Sequence, residues 1–458
     1  MNKQNLIELL GPNLKSSFIN GDFNISNATT NIQNSSMNDL VFYFIHENEK
    51  ALAVFLERSS KANAGLLVLN REVPDLKANY IVVNDFLEGQ RAICNKLYPL
   101  TNKLKIAGVT GTNGKTTTVN LAVQIAKLNN VKAFSIGTLG VFDADEEIYP
   151  EISATTPSYL ELRKILHKFQ DEFDLVFMEV SSHALMQDRL YDVMLDAGAW
   201  TSFSQDHLDY HGTLEEYFQA KSKISDKLKN KNYLFVPEHE ESVYQGLEKI
   251  NIPYEIVSDF YIEEDDIPYA FRAKYNFNNL LLATKLFENL TGIKNHNLYG
   301  LKLPKGRFSA YECGDHLFVI DYAHSPDAIK NICHAIASAF PNMYLITVFG
   351  CGGDRDRTKR PLMGQAAAKY SNLVVVTSDN PRSEEPLAII NDVLPGVENA
   401  NYIIEENRAD AIRKAFDAKK GPSIILIAGK GHEEYQEVKG EKLPFSDFSI
   451  VEQIISEQ

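Results

Sequence analysis

Long apolar runs are missing from this chain, and cysteine is scarce. No stretch approaches the ~20 apolar residues a bilayer-spanning helix needs, and the opening Met1-Asn2-Lys3-Gln4-Asn5-Leu6-Ile7-Glu8 has no signal-peptide hydrophobic region. The four cysteines (Cys94, Cys313, Cys333, Cys351) form no C-x-x-C pair and no metal-ligand spacing. Reduced thiols in a cytoplasmic protein are the expectation. Excess positive charge is missing too. With 46 Lys and Arg against 61 Asp and Glu, the formal net charge is −15. That argues against a general nucleic-acid binder and against attraction to an anionic membrane surface. An anionic substrate would have to be met by positive charge local to its site. There is no internal repeat and no low-complexity segment. What is present, 44% hydrophobic and 23% charged residues, is the composition of a soluble globular protein. At 458 residues the chain is too long for one core, and two to four domains are expected.

The most informative stretch runs from Lys105 to Thr118. Ile106 to Val109 reads as a short buried strand. A glycine-rich turn follows, and Leu121, Ile125 and Leu128 then recur at helical spacing. Such a turn directs backbone N–H groups and the positive end of a helix outward, which suits phosphate. Lys115 would reach the terminal phosphates and the Thr116 hydroxyl would take a place on Mg²⁺. The spacing departs from G-x-x-x-x-G-K-[ST], because Gly108 leaves five residues before Gly114. An ordinary strand–turn–helix carrying a lysine is the alternative. The placement of Gly114-Lys115-Thr116-Thr117 on the strand–helix junction favours a nucleotide site.

Three α/β blocks are expected. Residues 1–102 carry short apolar runs at Val41–Phe44, Ala51–Leu56, Leu66–Leu69 and Tyr80–Val83, with loop or edge at Asn24–Asn38. Residues 103–302 hold the phosphate loop and a second strand, Leu175–Met178, ending in Glu179. In residues 303–458 four apolar strands each end in a charged, glycine-rich tip: Asp321-Tyr322-Ala323-His324, Gly350–Asp356, Ser378–Arg382 and Gly429–Glu433. Ligands gather at the carboxyl ends of strands in open parallel sheets, so these tips define one functional face.

Each candidate has a plainer reading. Glu179 is either a capping acid or a metal ligand, and a Mg²⁺-dependent loop in the same sheet favours the ligand. Asp206–His211 packs two acids and two histidines into six residues. That points to function for His207, while His211 could simply brace the loop. Lys221, on a helix predicted from about Leu214, reads alone as a solvated surface lysine. Arg355 and Arg382 suit bidentate recognition of carboxylate or phosphate. Their alternative is an ion pair with Asp354, Asp356 or Glu384.

Together these motifs resemble the Mur ligases, the ATP-dependent amide-forming enzymes of peptidoglycan precursor synthesis. The resemblance covers nearly the whole chain after residue 100. It lies in Gly108–Thr117, Met178–His183, Asp206–Gly212, Tyr275–Asn279, Gly306-Arg307-Phe308, Asp321–Pro326 and Gly429–Glu433. Within the family it looks most like the branch adding the third stem-peptide residue, and Asp379-Asn380-Pro381-Arg382 matches the meso-diaminopimelate-adding type. The resemblance implies an N-terminal domain for the UDP-linked substrate, a central P-loop domain with a mostly parallel sheet and a C-terminal Rossmann-like domain.

It also implies roles. Gly111, Thr112, Asn113, Gly114, Lys115, Thr116, Thr117, Asn276, Arg307 and Asp321 would hold ATP. Thr116 and Glu179 would serve one Mg²⁺ and His207 a second, with Lys221 carbamylated to a carboxylate-like ligand. Thr155, Thr156, Ser181, Gln187 and Arg189 would contact UDP-N-acetylmuramoyl-L-alanyl-D-glutamate. Arg355, Asp379, Asn380, Arg382, Gly429 and Glu433 would hold diaminopimelate. Lys115, Lys221, His207 and Glu179 would form the catalytic set. A monomer is expected.

One departure stands out. The family's N-terminal Asp-Ser-Arg is replaced by Asn27-Ala28-Thr29-Thr30-Asn31, so uridine contacts are not assigned. The rivals are a lysine-adding ligase, a folylpolyglutamate synthase and, from a different class, a regulatory P-loop ATPase. Arg382 speaks against the first and the ~100-residue N-terminal block against the second. The third has no use for Lys221, His207 or the charged tips.

Overall fold

Four- to six-residue apolar runs such as Leu66-Leu67-Val68-Leu69 and Ser423–Ala428 are buried along their whole length. Runs buried on both faces belong in parallel sheets covered by helices on each side. The computed structural model describes residues 1–458 apart from positions 75, 145, 150, 151, 153, 259–270, 272, 273, 295 and 296. Among the described residues the strands collect into three main sheets.

The first has the order Leu14–Phe18, Tyr80–Val83, Leu66–Leu69, Asp39–Tyr43, Asn27–Thr29, and only its first pairing is antiparallel. In the central sheet the order is Glu255–Val257, Leu234–Pro237, Ala197–Trp200, Lys105–Thr110, Leu175–Glu179, Ala133–Gly137. Those six are parallel, and an antiparallel pair, Gly140–Asp143 and Glu146–Tyr149, extends the edge. The third sheet runs Ser309–Cys313, His316–Asp321, Ser423–Ala428, Tyr344–Phe349, Leu373–Val376, Tyr402–Ile404, parallel after the first pair.

Register explains why the site forms where it does. Glu179 lies opposite Val109 and Trp200 opposite Thr110, so three neighbouring strands end together around the phosphate loop. In the third sheet Asp321 and Phe349 both lie opposite Ala428, which brings those tips to one edge as well.

Two local elements were not specified by the sequence reading. Ala51–Leu56 falls inside a helix, Glu49–Lys61, capped by the Asn48 side chain. The hairpin Tyr435–Val438 with Glu441–Pro444 was not anticipated, because its strands are half-buried or exposed and carry no alternating apolar pattern. The helix Leu214–Ser222 starts where expected, on a capping box in which Thr213 and Glu216 satisfy each other's backbone N–H.

The first sheet does not stand alone. One apolar cluster runs from Leu6 and Phe42 through Phe134 and Val176 to Leu234 and Leu247, so it shares a core with one face of the central sheet. Arg163, 2% exposed, pins this junction. It donates to Asp192 Oδ1 and Oδ2 (3.1 and 3.2 Å), Tyr159 Oη (3.0 Å), Asn95 Oδ1 (2.9 Å) and the Tyr98 carbonyl (3.0 Å). Replacing Arg163 with Met leaves Asp192 without its cation, held only by the Tyr159 hydroxyl at 2.9 Å, and takes the donor from Asn95 Oδ1 and the Tyr98 carbonyl. The variant is expected to lose about 3 kcal/mol in urea unfolding, and a loss below about 1 kcal/mol would mean that the apolar cluster alone holds the junction.

Candidate active site

The phosphate loop is built on glycine backbone. Gly111 has φ +144°, and a Cβ there would lie 1.9 Å from Thr201 Oγ1, so any side chain would break the strand–loop contact. Its carbonyl accepts from two lysines at once, Lys115 Nζ and Lys221 Nζ, each at 2.8 Å. Lys221 is 1% exposed and its Nζ lies 4.5 Å from the Tyr217 ring centroid. Burial, then the neighbouring Lys115 charge, pushes its pKa well below the ordinary lysine value. Burial lowers Lys115 as well. A buried amine held towards its neutral form is a nucleophile, which is what addition to carbon dioxide requires. The surface-lysine reading of Lys221 is therefore excluded.

Beside the lysines, Thr116 Oγ1 donates to Glu179 Oε1 at 2.9 Å. Glu179, 1% exposed, also accepts from Thr138 N at 2.8 Å. Arg307 reaches over from the third block, its Nη2 3.3 Å from Thr116 Oγ1 and its guanidinium over the Tyr322 ring. A hydroxyl and a carboxylate in contact are the hard-oxygen pair that Mg²⁺ takes alongside substrate phosphates, so these residues fit that ion. Among the described residues no group of three or more His, Cys, Asp or Glu forms a metal cluster. An ion here would complete its shell with phosphate and water.

His207 sits in the left-handed region (φ +54°), where few residues other than glycine settle. Its ring lies 3.7 Å from Asp206 Oδ2, and the rings of His183 and His207 are 5.1 Å apart. Burial holds His207 at a pKa of about 3 and His183 at about 4, so both are neutral at pH 7. His211 donates to or accepts from Ser182 Oγ at 2.9 Å, the bracing role that the sequence left open.

A cleft opens between the second and third blocks, lined by Asn113, Gly114, Thr117, Asn276, Arg307 and Asp321 among others. Six of the ten residues expected at ATP thus share one cavity. Gly111, Thr112, Lys115 and Thr116 belong to the adjoining loop. Asp321 is fixed by the backbone N–H groups of Phe308 and Ala323, each at 2.8 Å. Glu240, held by burial at a pKa of about 7, lines the same cleft and was not legible in the sequence, since nothing around it forms a motif.

The third group is contiguous with Glu179. Thr156 Oγ1 donates to the Glu179 carbonyl at 2.9 Å and accepts from Ser181 N at 3.1 Å. Thr155 Oγ1 meets Thr138 Oγ1 at 3.1 Å. Arg189 donates to the Thr156 carbonyl (2.6 Å) and to Gln187 Oε1 (2.7 Å), and Gln187 itself is exposed.

At the third-sheet tips, Asn380 Nδ2 donates to Glu433 Oε2 at 2.9 Å, and Lys430 Nζ joins both, 3.0 Å from Asn380 Oδ1 and 2.9 Å from Glu433 Oε2. Arg382 is left-handed (φ +51°), donates to the Gly353 carbonyl at 2.7 Å and pairs with Glu437 at 3.2 Å. Asp379 Oδ2 is buried with no hydrogen-bond partner. A Cβ on Gly429 (φ +119°) would come within 2.6 Å of it, so only glycine leaves that oxygen room. Arg355 stands in a different contact, half-exposed and 3.8 Å from Asp209. Neither arginine pairs with Asp354, Asp356 or Glu384. Lys430 and Glu437 were missed as partners: the first sat within a quoted motif, the second lies on the unanticipated hairpin.

Fold and site together define a P-loop nucleotide-binding architecture, in which the central sheet faces a Rossmann-like sheet across a cleft. Residues 109–290 match the Mur ligase middle domain and residues 306–431 the Mur ligase glutamate ligase domain. The chain belongs to the Mur ligase family. It is 33% identical to the UDP-N-acetylmuramoyl-L-alanyl-D-glutamate--2,6-diaminopimelate ligase 1 of Clostridium acetobutylicum, over 97% of this chain and 98% of that one. A solved structure of a UDP-N-acetylmuramoyl-L-alanyl-D-glutamate--2,6-diaminopimelate ligase superposes with a TM-score of 0.58 at 27% identity, covering 99% of both chains. The fold extends to a Mycobacterium tuberculosis folylpolyglutamate synthase (TM-score 0.57, 16% identity), but this covers only 74% of the present chain and 91% of that one.

The neutral histidines set a pH dependence. Unfolded His183 and His207 take up protons near pH 6.5, whereas the folded chain does so only near 4 and 3. The unfolded state therefore binds more protons in this window, and their contribution to stability is complete above pH 6.5 and lost as pH falls towards 4. The urea midpoint is expected to rise between pH 4 and 6.5, and a His183→Phe variant should show a shallower rise. An unchanged slope would exclude His183 as a contributor.

Proposed function

We propose that this protein is an ATP-dependent amide ligase that joins meso-2,6-diaminopimelate to the D-glutamyl carboxylate of UDP-N-acetylmuramoyl-L-alanyl-D-glutamate. Residues 1–102 take the UDP-linked substrate, 103–302 ATP and 303–458 the amino acid. The observation that carries the reading is the charge arrangement at the third-sheet tips. Asp379 Oδ2, which makes no hydrogen bond and lies 3.8 Å from the Arg408 guanidinium, and the Glu433 carboxylate can accept from an ammonium. Arg382, partly exposed, can pair with a carboxylate on the same side chain. A diamino acid with a distal carboxylate fits this set, and lysine lacks that group. The relative from Clostridium acetobutylicum, alike over nearly the whole chain, bears the corresponding name.

A carboxylate is a poor electrophile at neutral pH, which is why ATP is needed. The carboxylate oxygen of the UDP-linked dipeptide attacks the γ-phosphorus, the bond to ADP breaks and an acyl phosphate results. The diaminopimelate amine then attacks the acyl carbon, phosphate leaves and the amine gives up its proton. Lys115 and Arg307 face the transferring phosphoryl group and oppose its charge. Thr155, Thr156, Ser181, Gln187 and Arg189 aim the dipeptide at it. Lys221, if its amine adds to carbon dioxide and releases a proton, would become a carbamate that offers carboxylate-like oxygens as metal ligands. Mg²⁺, held by Thr116 and Glu179 and by His207 with the Lys221 carbamate, would supply charge neutralisation between the phosphates and the acyl oxygens. Among the described residues no helix is long and apolar enough to cross a membrane.

Phosphate release with ATP, Mg²⁺ and UDP-N-acetylmuramoyl-dipeptide is expected with meso-diaminopimelate and not with L-lysine. Arg382→Ala should raise the KM for diaminopimelate by about 10-fold or more, the loss of one charge-assisted contact. Turnover with lysine would discard the specificity assignment, and ATP hydrolysis with no amino acid dependence would return the reading to a regulatory ATPase.

A further inference from the structure

The run Gln205-Asp206-His207 belongs to the central block, yet the C-terminal block grips it. Gln205 Nε2 donates to Asp356 Oδ2 and to Thr358 Oγ1, each at 3.0 Å. Lys359, first residue of the helix Lys359–Tyr370, extends its Nζ to Asp206 Oδ1 at 3.1 Å. The two side chains are 8% and 4% exposed. The same Asp206 oxygen accepts from the His207 backbone N–H at 2.9 Å. Asp206 Oδ2 faces the rings of His207 and of His324, at 3.7 and 3.9 Å. One carboxylate therefore holds the main chain and faces the ring of His207, and on its other side takes an ammonium from the neighbouring block.

The gripping segment has a second occupation. Arg355, four residues before Lys359, points at Asp209, two residues beyond His207. The loop assigned to the amino-acid substrate and the loop carrying His207 thus meet twice. Two charges taken out of water attract each other strongly, but the cost of desolvation offsets much of the gain. Such a pair adds little net stability. Its consequence is geometric, because docking the blocks with either charge unpartnered is disfavoured.

We infer that Lys359 is a positioning residue that couples the docking of the C-terminal block to the placement of His207. This rests on the ligase reading above. The amino-acid loop and the His207 loop assemble in one step, so the acyl phosphate forms in a cleft already closed to water. Lys359 acts through Asp206, the contact its ammonium makes.

The test uses the full-length enzyme and its Lys359→Met and Lys359→Arg variants. Small-angle scattering is recorded with and without a non-hydrolysable ATP analogue plus UDP-N-acetylmuramoyl-dipeptide, beside steady-state kinetics and a thermal melt. Lys359→Met is expected to keep the melting temperature of the free enzyme and to fail to compact with ligands. Its kcat should fall about 100-fold, with the KM for ATP changed by less than about 3-fold. Lys359→Arg should recover both compaction and much of kcat. A Lys359→Met enzyme that compacts like wild type overturns the inference, whatever its kcat. So does one whose loss of kcat merely follows a lowered melting temperature. If Lys359→Met does not fold, Asp206→Asn takes its place and must show the same failure to compact, and normal compaction there is equally fatal. Wild-type enzyme that compacts but ligates no diamino acid would remove the ligase reading while leaving the scattering comparison intact.

Discussion

Two lysine side chains share one carbonyl oxygen, that of Gly111, and most of the site is arranged around that crowded point. Bringing two amines together away from water disfavours charging both, so the pair is poised to take up whatever restores balance. In the proposed reading a nucleotide's terminal phosphates would supply that balance to Lys115, and conversion of the amine to a carbamate would supply it to Lys221. Neither would be possible if residue 111 carried a side chain, because Thr201 occupies the space. Glycine backbone therefore does more here than expose N–H groups to phosphate.

Some of the residues with left-handed backbone lie on the loops of the candidate site. His207, Asp354 and Arg382 all adopt left-handed backbone, and each lies on a loop at the carboxyl end of a sheet. Side chains in such places are aimed by the fold and not by local preference, and their cost is met by surrounding packing. The supports are visible: Asp206 under His207, Ser383 and Glu384 on Asp354, Gly353 and Glu437 on Arg382. The third block reaches the second through several such supports. Arg307 meets Thr116, and Asn113 meets Ser325 at 3.3 Å.

Much of this was legible before any coordinates. Sharp apolar runs ending in charged glycine-rich tips marked the parallel strands, because burial on both faces leaves a continuous apolar signature. The phosphate loop declared itself through Gly114-Lys115-Thr116 at a strand–helix junction. What escaped were features without periodicity. The hairpin Tyr435–Val438 with Glu441–Pro444 is half solvated, and yet its Glu437 is the partner of Arg382. Glu240 in the nucleotide cleft and Lys359 beneath His207 are single charged residues in ordinary surroundings, made significant only by what lies across from them.

By itself the sequence determined the fold class, several of the strand-forming segments and the chemical types present at their ends. Local propensity and apolar period carry that information, and both are properties of neighbouring residues. Tertiary structure alone decided which charges face each other. Lys221 looked like a surface lysine and is buried at a carbonyl 110 residues away. Arg355 turned to Asp209, and Asp206 paired with a lysine 153 residues further on. Coulombic and hydrogen-bond partners are selected by distance in space, and no pattern along the chain encodes that distance.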